Sequence, residues 1–216
     1  MTEIDIDTWP RSQHFSLFKD FNQPYFNVCI VIDAKRLFDF CKSNHHSFFQ
    51  SYIFLALRAC HQYPPMLQRI INNAPWQLDG ARASVVELAT DDTFRFSYFS
   101  LKQPFADFSK HVQQVSSNSK VLPLFSEAFA HTEGQADLIH ISVLPWLDFT
   151  SFSHAHTHGI SMGIPKLVFG KYNKETGKMP LSIDVHHALM DGLHVARFIE
   201  HFQNCIDQYC QPVHID

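Results

Sequence analysis

The residues best suited to chemistry lie near the C-terminus, in Val185-His186-His187-Ala188-Leu189-Met190-Asp191-Gly192. A strand-like segment, Leu181–His186, runs into two histidines; an aspartate four residues after His187 then opens the last helical pattern, followed by glycine. Imidazole is the side chain whose ordinary pKa, about 6.5, lets it take a proton near neutral pH. A carboxylate on the same turn can orient such a ring or hold the loop by an ion pair. The same residues also have a plain structural reading: Asp191 caps the helix and the histidines simply end a strand. The full His-His-x-x-x-Asp-Gly string is specific enough to shift the balance toward proton transfer.

A second set, His154, His156 and His158, alternates and would line one face of a strand. Alternating imidazoles can chelate zinc or nickel. With no carboxylate or cysteine inside the run, a solvated or interfacial histidine cluster is the better reading, and no metal is expected. The five cysteines (Cys29, Cys41, Cys60, Cys205, Cys210) are odd in number and form no CxxC or CxxH pair, so zinc-finger and disulfide frameworks fail together. Free thiols in a reducing compartment fit them. Only 7 glycines occur, and neither GxGxxG nor GxxxxGK[ST] is present, which argues against a glycine loop cradling phosphates.

These residues need elements to position them. Val28–Ile32 reads as a strand, with Asp33 as N-cap of a helix through Lys42; Ser47–Tyr63 reads as a second helix, stopped by Pro64-Pro65. Strand patterns follow at Ala83–Leu88, Thr93–Leu101, Leu138–Leu144, Lys166–Tyr172 and Leu181–His186, with a helix over Pro104–Val115 and a polar loop at Ser116–Ser119. Asn173–Gly177 reads as a hairpin turn. In the last element, Asp191–Tyr209, the apolar residues Leu193, Val195, Phe198, Ile199, Phe202, Cys205 and Ile206 fit a 3.6-residue period. Helices and strands mix without strict βαβ alternation, which predicts α+β: a two-layer arrangement with a mixed sheet packed against helices.

At 216 residues, 45% hydrophobic, 18% charged and with net charge −4, the chain reads as one domain over 1–216, neither disordered nor a basic nucleic-acid binder. Twenty-one phenylalanines suggest an apolar cavity. Residues 1–10 carry Glu3, Asp5 and Asp7 in place of a basic and apolar leader, and no apolar run reaches the ~18 residues a membrane span needs, so a cytoplasmic location is expected.

Four ordered motifs carry a resemblance. They are Trp9-Pro10-Arg11-Ser12-Gln13-His14-Phe15, Ser142-Val143-Leu144-Pro145-Trp146 with Phe149-Thr150-Ser151-Phe152, Gly170-Lys171-Tyr172, and His186 through Phe198. Together they resemble the chloramphenicol acetyltransferase family from about residue 9 to 206. The resemblance implies an O-acetyltransferase that uses acetyl-CoA as co-substrate and inactivates an antibiotic such as chloramphenicol by direct transfer in a ternary complex. It implies His187 as general base, Ser142 as donor to the oxyanion, and Asp191 paired with Arg11 to hold the active-site loop. It places Lys171 and Tyr172 at the nucleotide end of coenzyme A, and it implies a homotrimer whose active sites are completed across subunit boundaries.

The sequence departs from the family where the acceptor would lie. Val168 stands where a threonine is usual, His154 where a leucine is usual, and Phe26 where a tyrosine is common. Phe129 and Phe152 remain as a possible apolar wall, with core packing as their alternative role. Two other functions stay open: a member of the same family acting on a different hydroxyl acceptor, and a non-catalytic binder of a small apolar ligand. Dihydrolipoyl acyltransferases share the histidine–aspartate signature, but no lipoyl domain or Pro/Ala-rich linker is seen in this chain. Condensation domains of peptide synthetases are roughly twice as long.

Overall fold

The computed structural model describes residues 1–155 and 162–211. His156 and His158 lie outside them.

A six-stranded mixed sheet organises the fold. Its strands, in spatial order, are β2 (Tyr25–Asp33), β9 (Lys178–His186), β8 (Lys166–Phe169), β7 (Leu138–Val143), β5 (Arg82–Leu88) and β6 (Phe94–Ser100). The β8–β7 and β7–β5 pairs are parallel and the other three antiparallel. A smaller three-stranded sheet joins β1 (Thr2–Glu3), β4 (Ala74–Gln77) and β3 (Gln68–Ile71).

Four helices cover one face of the large sheet: α2 (Lys35–Ser43), α3 (Phe48–Gln62), α4 (Phe105–Ser119) and α6 (Gly192–Tyr209). Two short ones, α1 (Ser12–Phe18) and α5 (Glu127–Thr132), are the other α-helices among the described residues. Alternation assigns the faces. Leu181, Ile183 and Val185 on β9, Leu167 and Phe169 on β8, and Ile139 and Ile141 on β7 are buried in the common core with α3 and α6. Their neighbours Ser182, Asp184, Lys166, His140, Ser142 and Ser84 point to the opposite face. The expected α+β architecture with a mixed sheet is present.

The terminal helix buries Val195, Phe198, Phe202, Cys205 and Ile206, the stripe its spacing predicts. Each of the Val, Phe and Ile side chains contributes about 1.5–3 kcal/mol of burial. Ser47 caps α3 by accepting from Gln50 N at 3.3 Å. Asn173–Gly177 joins β8 to β9, with Gly177 at φ +70 and its backbone N bonded to Asn173 O at 2.8 Å.

Three boundary expectations change. Asp33 ends β2, and α2 starts from Ala34 without a side-chain cap; the Asp33 carboxylate instead accepts from Lys35 N at 3.1 Å and from Lys178 Nζ at 3.0 Å. Ser116–Ser119 forms the last turn of α4, because Ser116 Oγ donates to buried Glu87 at 2.9 Å and that contact outweighs the low helix propensity of serine. The strand read over Lys166–Tyr172 ends at Phe169, where Lys171 N turns to Leu147 O at 2.8 Å.

All five cysteines are free thiols, four of them buried. No described helix is long and apolar enough to cross a membrane.

Candidate active site

The nine-pair ladder between β2 and β9 brings His186 opposite Tyr25, and His187 N donates to Pro24 O at 2.8 Å, carrying the pairing one residue further. The chain then turns sharply, with Leu189 N and Met190 N both bonding His186 O at 3.0 Å. Gly163, at φ +72, packs closely against this turn: a Cβ there would meet Leu189 Cδ1 at 2.5 Å.

The two histidines are treated differently. His186 is 1% exposed, and burial, helped by the charge of His187, pushes its imidazole down to about 4, so it is a neutral structural ring. His187 is half-buried and lies flat on Phe18, with ring centroids 4.0 Å apart and planes within 3°; Phe26 packs at 4.8 Å. Its Nδ1 is buried without a hydrogen-bond partner among the described residues. The ring is therefore oriented by stacking and by its own backbone.

That backbone is clamped by Arg11. Nη1 donates to Asp191 Oδ2 at 2.6 Å and Nη2 to His187 O at 3.0 Å, with the Arg11 side chain 10% exposed. Asp191 serves at once as ion-pair partner and N-cap. Its Oδ1 accepts from Leu193 N and His194 N, and the His194 ring Nδ1 lies 2.7 Å away. Burial alone would raise the Asp191 carboxyl, but hydrogen bonds from His194 and Arg11 and their charges outweigh it and hold it well below the usual carboxylate range. The expected Arg11–Asp191 pair is present. Phe18 and His194 were not singled out from sequence; the i, i+3 spacing of Phe15 and Phe18, and of Asp191 and His194, was the available signal.

A second group of candidates lies elsewhere. Ser142 pairs with Val168, and Val168 with Ser182, so all three share one face of the sheet. His187 comes five residues after Ser182 and turns to the helix-covered face with Phe26. From strand spacing and rise, the Cα atoms of Ser142 and His187 lie about 19 Å apart. Lys171 is exposed, and Tyr172 stacks on Phe38 at 4.6 Å, both beyond the Ser142 end of β8. Within one chain the candidate residues therefore fall into two separate groups. One holds His187, Arg11, Asp191, Phe18 and Phe26; the other holds Ser142, Val168, Lys171 and Tyr172.

Phe129 and Phe152 belong to different ring groups, Phe129 with Phe96 and Phe125, and Phe152 with Phe149 and His154. Among the described residues, no three His, Cys, Asp or Glu side chains converge on a point where a metal ion would sit.

Comparison with known proteins identifies the family and the fold. The family model described as chloramphenicol acetyltransferase matches residues 1–203. A chloramphenicol acetyltransferase of Escherichia coli is 27% identical over 213 residues, spanning 96% of this chain and 94% of that protein. Chloramphenicol acetyltransferase 3 of Escherichia coli is 26% identical over 209 residues, spanning 94% and 95%. A solved chloramphenicol acetyltransferase shares the fold with TM-score 0.83 at 24% identity, over 95% of this chain and all of that one. A dihydrolipoamide acetyltransferase of Azotobacter vinelandii shares it at TM-score 0.69 and 13% identity, over 92% and 87%.

Proposed function

The chain belongs to the chloramphenicol acetyltransferase family, and from that premise we propose that it is an acetyl-CoA-dependent O-acetyltransferase with chloramphenicol as its first candidate acceptor. His187 is the general base. Its imidazole takes the proton of the acceptor hydroxyl as that oxygen attacks the thioester carbonyl of acetyl-CoA. The tetrahedral oxyanion accepts a hydrogen bond from Ser142, a contribution of roughly 2.7–4 kcal/mol for a preorganised donor. Collapse expels coenzyme A, whose sulfur recovers the proton from His187. No acyl-enzyme forms. Lys171 and Tyr172 meet the nucleotide end of coenzyme A.

The observation that carries this reading is the clamp on His187: a flat stack on Phe18 and an arginine that grips both the histidine carbonyl and the capping aspartate. A non-catalytic binder has no use for an imidazole held this way. The distance between Ser142 and His187 adds a second requirement. They meet only if one copy supplies His187 and another supplies Ser142, which supports a homo-oligomer with active sites between subunits, a homotrimer by the family resemblance.

Coenzyme A release from acetyl-CoA, followed with and without chloramphenicol, tests the proposal. Acceptor-dependent release that disappears in His187→Ala supports it, and no release with any hydroxyl acceptor contradicts it. Release with another hydroxyl compound but not with chloramphenicol keeps the chemistry and removes the drug.

A further inference from the structure

The face of the sheet that carries Ser142 also carries a polar cluster that proton transfer to His187 does not use. His140 stands two residues before Ser142 on β7, so their side chains share this face about 7 Å apart. In register, His140 lies between Ser84 and Lys166, and Ser84 pairs onward with Tyr98. Glu133, just after α5, reaches into this row. Its Oε2 accepts from Ser84 Oγ at 3.0 Å and from Tyr98 Oη at 3.1 Å, and its Oε1 lies 3.2 Å from His140 Nε2. The Glu133 side chain is 18% exposed and that of His140 30%, so the cluster is largely withdrawn from water yet open at its edge.

The charges around Glu133 do not balance. Burial and the neighbouring carboxylate raise the Tyr98 phenol, and burial lowers the His140 imidazole, so both are neutral at neutral pH. Arg82 is committed to Asp137 through bonds of 2.7 and 2.9 Å. Lys166 directs its ammonium to Ala155 O at 3.0 Å and over the Tyr25 ring at 5.6 Å. Among the described residues, Glu133 has three neutral neighbours and no lysine or arginine within ion-pair distance. A carboxylate in such surroundings favours a cation beside it.

The adjoining wall is aromatic. Phe96 stands two residues before Tyr98 on the same face, its ring 5.4 Å from Phe129, which is in turn 5.4 Å from Phe125. Ring faces also attract cations.

We infer that the preferred acceptor is an aromatic amino alcohol, its protonated amine beside Glu133 and its ring against Phe96 and Phe129. Glu133 is then the residue that selects the acceptor. This inference rests on the proposed role of Ser142, because that role is what places the acceptor along this face.

The test compares chloramphenicol with its deacylated amine, which keeps the nitrophenyl ring and both hydroxyls but exchanges a neutral amide for an ammonium. At pH 7 the amine is expected to be O-acetylated with a kcat/KM at least about tenfold higher, the difference lying in KM. Glu133→Gln is expected to bring the ratio of the two substrates close to one. A general folding defect lowers both rates together, so the ratio isolates the charge. A preference for the amide, or a ratio unmoved by Glu133→Gln, overturns the inference.

Calorimetric binding of both compounds without acetyl-CoA separates the two levels. Glu133-dependent binding of the amine, with no coenzyme A release for any acceptor, contradicts the acetyltransferase proposal and sustains the cation site. Coenzyme A release without charge preference contradicts the cation site alone.

Discussion

Replacing Arg11 by alanine removes the side chain that bonds both the His187 carbonyl and Asp191, the N-cap of α6. The charge-assisted bond to Asp191 is worth about 1.5–3 kcal/mol in general. In this protein it falls toward the lower end, because the Asp191 side chain is 35% exposed and water can replace part of the contact. The His187 carbonyl loses its arginine donor, which adds about 1 kcal/mol. Together these predict a loss of about 3 kcal/mol. For a chain of this size that lowers the melting temperature by about 6–12 °C.

Activity should fall as well. The bond to His187 O fixes where the imidazole sits, and a small displacement of a base costs about tenfold to a hundredfold in kcat. Arg11→Lys keeps the charge but cannot span two acceptors in fork geometry, so it should fall between wild type and alanine in both measurements. Thermal unfolding by circular dichroism, with acceptor-dependent coenzyme A release on the same preparations, provides the assay. An alanine variant that melts within about 1 °C of wild type would refute the clamp.

Other predictions follow from the same geometry. His187→Ala should lower acceptor-dependent turnover by about two to four orders of magnitude while the protein still melts cooperatively. Ser142→Ala should lower kcat by about a hundredfold or more with little change in melting temperature, since Ser142 is only half-buried, on the face away from the helices. Acid stability should depend on two opposed buried groups, each worth about 3 kcal/mol. His186 is held down at about 4, so its contribution is full at neutral pH and is lost as pH falls from about 6.5 to about 4. Asp184 is raised to about 6 by burial, against Lys166 and Asn27, so its contribution is full near pH 4 and is lost as pH rises to about 6. The two offset in wild type. Asp184→Asn should therefore lose stability on acidification through this window and His186→Gln should gain it, as read by urea unfolding at pH 4.5 and 7.

Much of this molecule was legible in its sequence because local and tertiary preferences agreed. The Asp191 cap and the apolar stripe through Ile206 specify α6 without outside help, and Leu181–His186 reads as a strand that delivers His187 to a turn. Less was legible where tertiary contacts decide. Helix α1 has seven residues and no side-chain cap, so it owes its place to Phe15 in the core and Phe18 on His187. The β3–β4 hairpin did have a signal, Asn72-Asn73, both at positive φ as a tight hairpin turn requires.

Glu133 and His140 were missed for a different reason. His140 and Ser142 alternate with Ile139, Ile141 and Val143, which marks a one-sided strand. Nothing in that alternation shows that a glutamate from the preceding turn will lie against the polar side. The register of Ser142 was equally out of reach: its motif pointed to a shared site with His187, while the strand order puts the two at different ends of the sheet.

Subunit complementation tests whether His187 and Ser142 of neighbouring copies share one site. His187→Ala and Ser142→Ala should each be nearly inactive alone. Co-expressed in equal amounts and assembling at random, they should give a population of pure and mixed trimers in which about a quarter of all interfaces pair an intact His187 with an intact Ser142 from the neighbour. Acceptor-dependent coenzyme A release should then recover to about a quarter of the wild-type rate. A mixture that stays as inactive as its two components would show that the residues do not act together across a subunit boundary, and would contradict a shared site.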